Sequence, residues 1–142
     1  MSVLTLAQAN AIIAATLAKG RALGLKPLTV AVVDTGGSLI ALQRSDASPA
    51  IRPAVAQGKA SGAILMGVSS RKLGEMAVER PHFIGAVAPM AAHGLVPVAG
   101  GVIVFDADGA AIGAVGVSGD TSDNDEICAV AGITAAGLAI EG

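Results

Sequence analysis

Leu28-Thr29-Val30-Ala31-Val32-Val33-Asp34 is a short β-branched run, Thr35-Gly36-Gly37-Ser38 supplies turn residues, and Leu39-Ile40-Ala41-Leu42-Gln43-Arg44 runs extended again. β-Branched side chains suit a pleated surface, and paired glycines admit the positive φ that tight hairpin turns demand. Residues 28–44 therefore predict a β-hairpin. A second hairpin is predicted further on: residues 95–105 read as a strand interrupted by Gly100-Gly101, Asp106-Ala107-Asp108-Gly109 as the turn, and residues 110–118 as the returning strand. Hairpins join antiparallel neighbours, whereas parallel strands need long crossovers, so the sheet is predicted to be antiparallel.

Helices are predicted on either side of these strands. Thr5 with Gln8 resembles a capping box, and Leu6, Ala9, Ile13 and Leu17 recur at helical period, giving a helix over about 5–23 that Gly24 stops. Ser48-Pro49 reads as an N-cap with proline at the first helical position, opening a helix to about residue 66. Ser69 or Ser70 caps another to about 79, which Arg80-Pro81 ends. Asp123 with Glu126 reads as a further capping box, opening a last helix to about 140. Residues 82–94 support neither a strand nor a long helix and are read as a loop with one helical turn. The order αββααβββα is that of a single α+β domain over residues 1–142, with no repeat or linker.

Composition excludes several classes of function. Charged residues make up 14% of the chain, against about 25% in an ordinary soluble domain. A folded monomer of this mass exposes roughly 6,600 Å², over which 9 basic and 11 acidic side chains are spread thinly. A homo-oligomer that hides part of this surface is the expectation. A membrane protein is not expected, because no run of about 18 apolar residues passes without a charge, Gly or Pro. The start, MSVLTLAQAN, lacks a basic n-region, so no secretory signal is expected. A net charge of -2 without a basic cluster gives no footprint for nucleic acid. Cys128 is the lone cysteine, which excludes an intrachain disulfide framework and suits the cytoplasm.

The residues that can carry chemistry are few. Gly113 to Asp120 has glycines spaced as in a ligand-binding loop, but they fall in a predicted strand without a βαβ unit, which speaks against a dinucleotide. Two readings stand: glycines that admit a packed helix, and an anion held by backbone amides near Ser118 to Asp123. Asp120, Asp123, Asp125 and Glu126 lack the spacing of an EF-hand and read as helix-capping carboxylates, so no metal is expected. His82 and His93, both in the unassigned segment, are either plain loop residues, or at least one of them acts as a ligand or acid/base group. Lys59 lies in Gly58-Lys59-Ala60-Ser61-Gly62, where small neighbours imply close packing. It is either a surface lysine beside an oligomer contact, or faces a cavity shared with Arg44 that takes an acidic small molecule.

Val30 to Asp34 with Gly36-Gly37, Arg44 with Asp46, Lys59-Ala60, Gly100-Gly101, the run Gly113 to Gly119, and Asp125 with the Ala-rich last helix together resemble the GlcG/HbpS family, also found as the carboxy-terminal domain of PduO-type proteins. The resemblance implies a profilin-like fold, a five-stranded antiparallel sheet with helices packed on it, that assembles into dimers or rings. It also implies haem binding, sensing or degradation in some members and a link to small-acid catabolism in others. Haem-binding relatives use a histidine near the amino-terminal helix, whereas the first histidine here is His82. Ligation of haem then falls to His82, His93 or Met90.

Three functions follow from these readings. The first is an oligomeric binding protein for haem or a small organic acid. The second is a cofactor-independent enzyme on a small carboxylic or keto acid: Arg44 or Lys59 pairs with the carboxylate, with Ser118 a further ligand-binding residue, Gly100 and Gly101 amides stabilise an oxyanion, and His82, His93 or Lys59 moves a proton. The third is an assembly module without a ligand.

Overall fold

The computed structural model describes residues 3–142. The hairpin over 28–44 is present as β1 (Thr29–Val33) and β2 (Leu39–Arg44), with Thr29 opposite Arg44. Its turn is held by Asp34, whose Oδ1 accepts from the amides of Gly36 at 3.0 Å and Ser38 at 2.9 Å. Gly37 turns the chain at φ 78°, a conformation that favours glycine. The second hairpin, β3 (Gly101–Phe105) and β4 (Ala111–Ser118), repeats the device with Asp106, whose Oδ1 accepts from the amides of Asp108 and Ala110. β1 also pairs antiparallel with β4, so the sheet order is β2-β1-β4-β3.

The sheet has four strands among the described residues, not the five that the resemblance implied. Residues 95–99 do not extend β3, because Gly100 at φ 126° turns the backbone away. The Val96 amide bonds the Gly58 carbonyl of a helix, and the Val98 amide bonds Val96.

The helices are α1 (Leu6–Ala22), α2 (Arg52–Met66), α3 (Ser70–Glu79), α4 (Pro81–Val87) and α5 (Ser122–Ala135), with a 3₁₀ turn at Ala88–Met90. α1 opens with the predicted reciprocal capping box of Thr5 and Gln8. α2 begins later than predicted. The Ser48 hydroxyl shares a hydrogen bond with Thr29, and Pro53, not Pro49, occupies the first turn. Residues 82–94 are more helical than predicted, since Pro81 starts α4 with its ring preset for the first helical position. The cap of α5 is Thr121, whose Oγ1 accepts from the Asn124 amide, rather than the predicted Asp123. That helix ends at Ala135, short of residue 140, and Gly137 follows at φ 78°.

The strand alternation gives the sheet two packed faces. Val30, Val32, Val102, Val104, Val115 and Val117 point to the layer that buries Ile12 and Ile13 of α1 and Ile133 of α5. Val33, Ile103 and Ala114 point to α2, where Ala60 and Ala63 meet them. Gly116 lies on this second face, and a methyl group there would strike the Ala56 carbonyl and stand 2.8 Å from the Ala60 amide nitrogen. α2 therefore rests almost backbone to backbone on β4.

Candidate functional site

Lys59 sits mid-way along α2, on the face pressed to the sheet, and only 2% of it is exposed. Its side chain passes Gly100, where a methyl group would stand 2.9 Å from Nζ. Nζ then donates to the Val117 carbonyl at 2.9 Å and to Asp125 Oδ2 at 3.0 Å. Asp125, in the first turn of α5, is 1% exposed, and its Oδ1 accepts from the Asp120 amide at 3.0 Å. An ion pair thus joins α2 to α5 past the short end of β3. Burial pushes the Lys59 pKa below its ordinary 10.5; the Asp125 charge and hydrogen bond oppose this, and the Arg52 charge adds to it.

Arg52, the first residue of α2, donates from Nη1 to Ser118 Oγ at 3.0 Å. Its Nε is enclosed and has no hydrogen-bond partner among the described residues. Arg52 also lines a cavity of about 380 Å³ together with Lys26, Ala47, Asp120 and Thr121. Asp120 is committed within its own loop: Oδ1 accepts from the Lys26 amide and Oδ2 from Thr121 N and Asn124 Nδ2. Those bonds, the Asn124 one foremost, pull its pKa down to about 2.

A second concavity has a different character. Leu65, Met66, Val87, Met90, Ala91 and Leu95 line an apolar groove of about 320 Å³ between the end of α2 and the 3₁₀ turn. Met90 is 80% exposed on it. The loop that follows carries His93 and is pinned by the Ser61 hydroxyl, which donates to the Gly94 carbonyl at 2.7 Å.

A family model described as haem degrading protein HbpS-like matches residues 4–134. The chain belongs to the HbpS-like family. HbpS itself is a structural neighbour at 27% identity and a TM-score of 0.82, covering 94% of this chain and 90% of that one. A PduOC:heme complex, at 22% identity and a TM-score of 0.86, covers 99% of this chain and 100% of its own. The Klebsiella pneumoniae protein ORFY, at 24% identity and a TM-score of 0.86, covers 96% and 92%. These last two likenesses establish the fold. Among curated proteins no match is found.

In this HbpS-like chain the residues singled out from sequence fall in three places. Lys59, Ser118 and Gly100 come together around the ion pair and Arg52. Gly101 lies nearby, but its amide donates to Ser70 Oγ at 2.6 Å and is used within the fold. Arg44 is exposed at the end of β2, in one lateral row with Thr29 and Ser118. At about 4.8 Å between strands its Cα stands roughly 10 Å from that of Ser118. His82 and His93 are exposed on α4 and after the 3₁₀ turn. The charges that bear on Lys59 are Asp125 and Arg52, not a histidine. One chain therefore does not gather the lysine and the histidines into a single acid/base site.

Two members of the ion cluster escaped the sequence reading. Asp125 was grouped with the helix-capping acids, and one of its oxygens does serve the Asp120 amide, but the other neutralises Lys59. Arg52 carried one usable signal, a scarce cation directly before Pro53 at a helix start. The remaining acids are accounted for on the surface, where Arg71 of α3 pairs with both Asp123 and Glu126. Among the described residues no group of three or more His, Cys, Asp or Glu is arranged to hold a metal ion, and no helix is long and apolar enough to cross a membrane.

Proposed function

We propose that this protein binds haem as a homo-oligomer, in the apolar groove between α2 and the 3₁₀ turn. The observation that carries the reading is the lining of that groove, six apolar residues of which two are methionines, with His93 three positions after Met90. Thioether and imidazole are established haem-iron donors, and an apolar wall suits a tetrapyrrole face. Membership of a family described by haem degradation, and the PduOC neighbour whose structure contains heme, support the same ligand.

The residues fit the group by donor chemistry and by polarity. Leu65, Met66, Val87 and Leu95 would cover the macrocycle and exclude water, Met90 would offer a donor to the iron from the groove itself, and His93, exposed on the loop that follows, would offer a second. When bound, haem supplies a redox-active iron whose potential such ligands tune. The groove is open on one side, so a second copy of the chain is needed to cover the outer face.

Titration of the purified protein with hemin tests this. A saturable Soret shift is expected, with bands that Met90→Leu or His93→Ala displaces and His82→Ala does not. Absence of a shift at equimolar hemin would remove the proposal, as would bands that neither substitution alters in folded protein.

A further inference from the structure

We infer that the cavity beside Arg52 is a binding site for a small carboxylate anion, separate from the groove assigned to haem. The argument starts from an orphan donor. Buried polar groups in folded proteins are almost always hydrogen-bonded, and those that are not often mark a missing ion or ligand. Arg52 Nε is enclosed without a partner among the described residues, while Nη1 is spent on Ser118. The fork geometry of guanidinium then leaves the Nε–Nη2 edge, which matches two oxygens of a carboxylate in parallel.

Charge points the same way. The cluster holds two cations, the buried Lys59 and the partly buried Arg52, against one buried carboxylate, Asp125. The cavity adds Lys26 and Asp120, which balance one another, and both Asp120 oxygens are already hydrogen-bonded. One positive charge is left without a counter-ion, which a monoanion would supply.

Shape narrows the class further. Pro27, Ala47 and Pro49 give the cavity an apolar wall for an aliphatic chain, and its volume of about 380 Å³ leaves ample room for one. Ala47 is held at φ 67°, the one left-handed non-glycine among the described residues. Strained backbone of this kind concentrates at ligand sites. Around the start of α5 the amides of Asp120, Thr121, Asn124 and Asp125 are already bonded within the fold, so the site rests on Arg52 rather than on the helix start.

The experiment is amide-resolved NMR titration of the haem-free protein with propionate, and in parallel with inorganic phosphate. Saturable propionate shifts are expected at Ala47, Gly119 and Thr121, with a dissociation constant of about 1 mM or tighter. Arg52→Gln should weaken binding about tenfold or more, since a charged partner is lost. Arg52→Lys keeps the charge but not the fork, so it too should weaken binding; it serves alone should Arg52→Gln not fold. Met90→Leu should leave the shifts unchanged. Absence of saturable shifts, or affinity unaltered in Arg52→Lys, would overturn the site, and phosphate binding in preference to propionate would overturn the carboxylate. Failure of hemin to bind would not disturb these shifts, so the two proposals stand or fall apart.

Discussion

At the scale of single residues, the Lys59–Asp125 pair is where sequence and structure inform each other most. Removing one partner strands a charge in a site with almost no solvent. Lys59→Met or Asp125→Asn should each cost about 3–5 kcal/mol in denaturant unfolding. Replacing both, as Lys59→Met with Asp125→Leu, should recover most of that loss, because two desolvated charges disappear together. A double variant as weak as either single one would refute this account of the pair. Alkaline pH gives a second readout. Below 10.5 the unfolded chain holds the Lys59 proton more firmly than the fold does, so stability from this group rises as pH climbs from the lowered native pKa towards 10.5. Cys128 acts in the opposite sense, since burial raises its thiol above the ordinary 9.0. Wild type should therefore gain on Lys59→Met, which keeps the thiol, as pH rises; a flat difference would contradict the sign. The close packing around Lys59 was legible from Gly58, Ala60 and Gly62, but its burial in an ion pair, rather than at the surface or in a cavity shared with Arg44, was not. Nor was Asp125, since four acids in seven positions look alike until the fold buries one of them.

At the scale of elements, the close seat of α2 on β4 decides which substitutions the fold tolerates. A methyl group at Gly116 meets backbone on both sides, the Ala56 carbonyl and the Ala60 amide, and backbone cannot swing aside as a side chain does. Gly116→Ala should destabilise by about 3 kcal/mol, at the upper end of overpacking costs. Gly85→Ala in α4 meets nothing within 4 Å and should instead stabilise by about 0.5–1 kcal/mol through helix propensity. Equal melting shifts for the two would show that α2 is not seated as described. Both hairpins were legible because β-branched runs flank turn residues whose aspartates, Asp34 and Asp106, fold back on the amides after them. The beginning of β3 was not. Leu95, Val96 and Val98 have strand-like side chains, and only the tertiary bond from Val96 to Gly58 and the turn at Gly100 withhold them from the sheet. The start of α2 was misplaced for a similar reason: Ser48 is a good cap by type, but β1 offers its hydroxyl a buried partner in Thr29.

At the scale of the molecule, the accessible surface of 6697 Å² is close to the ~6,600 Å² expected of a compact chain this size. The low charge is therefore not explained by an unusually small surface; apolar side chains must face outward, and they do. Ile51 is 62% exposed, Val78 84%, Leu65 47% and Met90 80%. Leu65 and Met90 share the open groove, so the apolar surface there is concave and continuous rather than scattered. A second copy laid over this groove would bury it and enclose a planar ligand between subunits. Light scattering after size exclusion should accordingly return a multiple of 13.7 kDa. Leu65→Glu should shift the protein towards the single-chain mass, because a carboxylate cannot be desolvated in that contact without a partner. Thr35→Glu, on the exposed turn of the first hairpin, should leave the mass unchanged. Salt should not dissociate the assembly, since the contact carries few charges to screen. A single-chain mass for the wild type, or an undiminished mass for Leu65→Glu, would place the oligomer contact elsewhere or remove it. If the groove is the contact, Leu65→Glu should also weaken hemin binding although its side chain offers no haem ligand to remove, which ties assembly and ligand to one surface.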